Sequence, residues 1–199
     1  MQAWLTTQPW AGIIIWSLVY MSDYYWTIAS ARKYKLSPHF EFESSFELTP
    51  QFEKDVNELR PVSKRHMLML LLTDTMLVLV WALFGWIGLP QGYEFVLGAF
   101  VLMEVPVHFR HLSTYHMLKL SETRGGLDGK LHYRRWFSYN TSAFQFFCFA
   151  IFFLLTALLT WSVFFAGGFF GCLSIANNHR RKYIKLYKES PAKEVEPAG

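Results

Sequence analysis

The chain has 199 residues, 52% of them hydrophobic, 19% aromatic and only 17% charged, with a formal net charge of +4 and a mean hydropathy of +0.17. Soluble domains carry charge on about a quarter of their residues; here the apolar residues gather in long blocks and the charges in short ones, which argues for a membrane protein. Cys148 and Cys172 both lie inside apolar blocks, so neither a disulfide framework nor a zinc motif is present, and the positive-inside bias accounts for the basic excess without a nucleic acid.

The first apolar block, about 11–31, is long enough to cross a hydrocarbon core about 30 Å thick, which takes about 20 helical residues. Residues 29–31 read Ala-Ser-Ala, like a signal-peptide cleavage site. However, residues 1–10 carry no positive charge, and Asp23 with two tyrosines interrupts the apolar stretch, so a membrane span is the expectation. On this span Tyr20, Asp23, Thr27 and Ser30 form a polar stripe at helical spacing.

The polar segment 32–65 follows. Phe40-Glu41-Phe42-Glu43 alternates with period two and predicts a short extended piece. Thr49-Pro50 predicts a helix start. Phe52, Val56 and Leu59 recur at i, i+4, i+7, so a short amphipathic helix is expected on the inner membrane surface, packed on the bundle or offered to a partner.

Spans two and three are expected at about 66–88 and 93–111. Span two carries Asp74 between Thr73 and Thr75, with His66 two turns away. Span three carries Glu104, His108 and His111 within an arc of about 60° on one helix face. Pro106 lies among them and frees the carbonyl of Leu102, and breaks of this kind in membrane helices accompany binding sites.

The second inner segment, 112–140, contains Arg124-Gly125-Gly126-Leu127-Asp128-Gly129-Lys130. Its spacing is not that of a phosphate-binding loop, and a turn between juxtamembrane helices is expected. The last apolar block, 141–178, would make a helix of about 57 Å. It reads either as one long span, giving four in all, or as two spans, about 141–159 and 163–178, joined near 160–168. Gly167-x-x-x-Gly171 also has the spacing of a close helix-packing face.

Charge decides for five. With the N-terminus outside, segments 32–65, 110–140 and 179–199 lie inside and carry 7, 6 and 6 Lys and Arg, all 19 in the chain; four spans would put the last six outside. Trp10, Trp86 and Trp161 then mark the outer boundary, and Trp26 and Trp136 the inner one. The expected fold is an all-α bundle forming one membrane domain over 1–199, with a plasma (inner) membrane as its location. In the tail, Arg180, Arg181 and Lys182 are expected to meet anionic lipid headgroups.

Ionisable groups within a bilayer are costly and face the bundle interior or a wet cavity. From the span midpoints, Asp23, Asp74 and Glu104 each lie about 3–5 Å toward the inside, a candidate coupling layer with His108 and His111 at its inner mouth. The leading functional expectation is transport or proton/cation coupling through that layer. A second is an intramembrane enzyme with a divalent metal on Glu104, His108, His111 and Asp74. A third is a non-catalytic subunit of a larger membrane complex, the chain being thin enough to need a partner subunit or its own copy. No nucleophile elbow, glycine-rich nucleotide loop, haem-attachment CxxCH or HExxH occurs, so whether the protein is an enzyme stays open at this level.

Overall fold

The computed structural model describes residues 7–43, 45, 47–124 and 129–190. In order they form α1 (Pro9–Leu36), β1 (Phe40–Phe42), α2 (Pro50–Asn57), α3 (Lys64–Trp86), α4 (Gln91–Arg124), β2 (Leu131–Tyr133), α5 (Arg135–Thr160) and α6 (Val163–Glu189). The described residues form an all-α bundle of five long helices with one short helix and a two-stranded ladder at one end.

Three of these helices, α3, α4 and α5, are long and apolar enough to cross a membrane, against the five spans expected. The other two, α1 and α6, match them in length at 28 and 27 residues and fall short in apolarity. The polar stripe of α1 accounts for its shortfall. In α6 the apolar run stops at Ala176, before Asn177-Asn178-His179-Arg180. The helices also outrun the expected spans: α4, read as ending near 111, continues to Arg124, about 20 Å further.

The junction of α5 and α6 resolves the ambiguous block as two helices. The break is tighter than the expected 160–168 and falls on Trp161 and Ser162, with Trp161 in the left-handed region (φ 52°). Gly167 and Gly168 are therefore inside a helix, where they serve packing. A Cβ at Gly167 would strike the carbonyl oxygen of Phe95, and one at Gly171 would stand 2.7 Å from that of Ala99. On the facing helix a Cβ at Gly98 would strike the carbonyl of Phe164. Small residues let α4 and α6 approach backbone to backbone.

Helix α4 is the axis of the bundle. On one side Ile13 and Trp16 of α1 and Leu70 and Leu77 of α3 pack with its Tyr93 and Leu97. On the other, its Leu102 packs with Phe146, Ala150 and Phe153 of α5 and Cys172 and Ala176 of α6. Pro106 lies within α4, and the carbonyl of Leu102 that it deprives of a donor receives the thiol of Cys172, Sγ to oxygen 3.9 Å. Trp10, Trp86 and Trp161 are all well exposed at one end of the bundle.

At the other end the segments 32–65 and 112–140 are tied into one cap. Strands β1 and β2 pair in parallel, Phe40 with Leu131 and Phe42 with Tyr133, which bears out the extended piece. The glycine-rich segment leads into β2 rather than directly into a helix, and its residues 125–128 lie outside those described. Lys130 Nζ stands 2.8 Å from Glu41 Oε2, and its hydrogen bond holds the Glu41 carboxyl below the usual carboxylate range. Arg135 reaches Glu53 at 3.3 Å. The amphipathic helix α2 begins where Thr49-Pro50 indicated. Its Phe52 and Val56, with Leu59 just beyond, lie against Tyr24, Ile28 and Ala31 of α1, so this face is occupied by the bundle.

Candidate functional site

The polar stripe of α1 and the histidine face of α4 meet. Asp23 Oδ1 stands 3.2 Å from His111 Nε2, and the same nitrogen is 3.1 Å from Thr27 Oγ1. Ser30 donates to the His111 carbonyl at 3.3 Å, fixing the two helices in register. His111 is buried, so its pairing with Asp23 is a shielded contact rather than a surface one.

His108 lies one turn toward the middle of α4. Its Nδ1 donates to the Glu104 carbonyl at 2.8 Å, and its Nε2 faces Ser22 Oγ at 2.5 Å. The Ser22 hydroxyl also reaches the Val19 carbonyl at 2.8 Å. A hydroxyl has one proton. It goes to His108 when Nε2 is bare and to Val19 when Nε2 is protonated, so this contact accepts either state of the imidazole.

Glu104 is 5% exposed, and its Oε2 is buried without a hydrogen-bond partner among the described residues. It lines a cavity of about 180 Å³ bordered by Tyr20 and Asp23 of α1, His66 of α3, Arg110 and His111 of α4 and His179 of α6. Glu47, Leu48, Thr49 and Phe52 of the cap complete its lining. His66, 4% exposed, stacks on Tyr20 with ring centroids 4.1 Å apart and leans on Tyr24 at 4.6 Å. Its Nε2 also has no hydrogen-bond partner among the described residues. With Asp23 Oδ1, three buried polar atoms beside this cavity lack a hydrogen bond among the described residues, and an unmet buried donor or acceptor costs about 1–3 kcal/mol.

The structure thus brings Asp23, Glu104 and His111 to one cavity, with His108 on its flank, and leaves Asp74 apart. Asp74 accepts from Ser17 Oγ at 3.1 Å on both carboxylate oxygens, while Trp16 Nε1 donates to the neighbouring Thr73 at 2.9 Å. Ser17 precedes Asp23 by six residues, about 9 Å along α1. The three carboxylates therefore do not form one layer, because the helices are offset along their axes by more than their sequence midpoints indicate. Among the described residues no group of three or more His, Cys, Asp and Glu side chains is arranged to hold a metal ion.

His179 was missed by sequence reasoning, being read with the basic tail. Its Nδ1 and Arg110 Nη1 both meet Ser142 Oγ, at 2.9 and 2.8 Å. The available signal is its spacing: Cys172, Ala176 and His179 stand at i, i+4, i+7, the face of α6 that packs inward. Arg180 and Arg181 are exposed, as headgroup contacts require, and Lys182 lies over the Tyr139 ring, 5.2 Å from its centroid. Compared with family models, with curated proteins and with solved structures, the chain matches none.

Proposed function

We propose that this chain is a small membrane protein that couples a proton or another cation to transport through the cavity around Glu104. The observation that carries the reading is the Glu104 carboxyl, buried in a polar cavity beside the Asp23–His111 pair with Oε2 unmet among the described residues. A carboxyl so placed can take and release a positive charge within hydrogen-bonding reach of a resident ion or water. His111 pairs with Asp23 nearby, and His108 is held between Ser22 of α1 and its own helix.

In the same reading the chain crosses a plasma (inner) membrane five times, N-terminus outside, with α1 and α6 as the two less apolar spans. The placement of all 19 Lys and Arg supports this, as does the burial of α1's polar stripe against α4. Exposed arginines at the inner end meet lipid headgroups. A second copy, or a partner subunit, covers what α3 leaves bare.

The test is charge movement on a solid-supported membrane after a jump in proton or cation concentration. We expect a transient current in the wild type, lost in Glu104→Gln and Asp23→Asn and largely kept in Asp74→Asn. A Glu104→Gln variant with wild-type current overturns the reading. Metal analysis of the purified protein decides the second use of this donor set: stoichiometric metal lost in Glu104→Gln would move the site to metal chemistry.

A further inference from the structure

A second cavity lies beside the first. About 340 Å³ in volume, it sits between the inner halves of α4 and α5 under the β1–β2 ladder, near the lower end of the about 300–1,000 Å³ typical of small-molecule sites. One part of its wall is apolar and aromatic, with Phe40 and Phe42 from β1, Tyr133 and Phe137 from the other inner segment and Leu118 from α4, and hydroxyl side chains such as Ser113, Thr114 and Ser138 line the rest. Among the described residues one cation faces it, Arg110.

The guanidinium of Arg110 is held at the cavity wall by Ser142, which also lines the cavity. Nη1 donates to Ser142 Oγ at 2.8 Å, and Ser142 is itself 1% exposed and fixed by His179. The remaining four N–H donors have no carboxylate within ion-pair distance among the described residues. A planar fork with free donors matches an oxyanion bidentately. The cavity opens sideways past Met117 and Thr141, both exposed on the flank of the bundle.

We propose that this cavity binds a single-chain amphiphile with one oxyanion, a long-chain carboxylate. Its head would lie on Arg110 and its chain along the aromatic walls, entering from the inner leaflet. One cation matches one negative charge. The volume suits one acyl chain rather than two. The site goes beyond the coupling reading and stands on different residues, apart from Arg110 and Leu48, which border both cavities.

The test is oleate binding to the purified protein in a non-ionic detergent, by native mass spectrometry and by displacement of a fluorescent fatty acid. We expect one oleate per chain. Methyl oleate, which lacks the charge, should bind the wild type at least about tenfold more weakly. Arg110→Gln should lose a similar factor and Arg110→Lys less. Thr114→Trp, which fills the cavity and keeps the charge, should abolish binding. Equal binding of methyl oleate, unchanged binding in Arg110→Gln or Thr114→Trp, or no oleate at all overturns the proposal. So does tighter binding of a two-chain phosphatidylglycerol.

Discussion

Glu104 can be tested for stability as well as for function. A buried carboxyl with an unmet oxygen destabilises the fold by about 1–3 kcal/mol, and such groups persist where function requires them. Methionine has nearly the same length and no polar atom to satisfy. Glu104→Met is therefore expected to raise stability by about 1–3 kcal/mol, read as a higher melting temperature in detergent, while charge movement is lost. A lower melting temperature would mean that Glu104 makes contacts the fold needs. Asp74 is the contrast, since the Ser17 hydroxyl stands 3.1 Å from both of its oxygens and shares its proton between them. The face formed by Glu104, His108 and His111 was legible because helical spacing alone fixes it. The partners were not legible. That His111 meets Asp23 while His108 meets Ser22 depends on the rotation of α1 about its axis, and no single-helix pattern contains that rotation.

At the scale of elements, α4 and α6 are joined by close backbone approach rather than by large side chains. Gly167→Ala would put a Cβ against the Phe95 carbonyl, which belongs to a helix and cannot swing aside. The expected loss is about 1–3 kcal/mol, as for other overpacked positions. Gly85 provides the control. A Cβ there meets nothing within 4 Å, so Gly85→Ala is expected to be neutral or to gain about 0.5–1 kcal/mol from helix propensity. Melting both variants in the same detergent checks the pair, and equal behaviour would remove the packing argument. Here the sequence allowed two readings of one stretch, a turn or a packing face, because glycine serves both. The chain turns instead on Trp161, a residue that rarely adopts the left-handed conformation, and propensity could not have indicated it. The cap was partly legible. The period-two run found β1, but its partner β2 lies about 90 residues on, and a three-residue strand carries no signal for so distant a pairing.

At the scale of the molecule the proposed five crossings turn on α1 and α6. Hydropathy scores each helix as though lipid surrounded it. For α1 that premise fails, since Thr27 and Ser30 are buried against α4 while Ile14, Ile15, Leu18 and Tyr25 face outward. If α1 lay flat on the surface, its bonds to His108 and His111 would be broken. We therefore expect a membrane-impermeant maleimide, applied to intact cells carrying variants in a background without Cys148 and Cys172, to label Gln8→Cys and Gln91→Cys from outside. Lys54→Cys and Lys188→Cys should react only after permeabilisation. Each alternative has its own pattern. Gln8 reacting together with Lys54 would mean that α1 does not cross. Lys188 reacting together with Gln91 would mean that α6 does not, and would place the six Lys and Arg of segment 179–199 outside against the positive-inside rule. The coupling reading requires both helices to cross, because the Glu104 cavity takes Asp23 from α1 and His179 from α6 as parts of its wall.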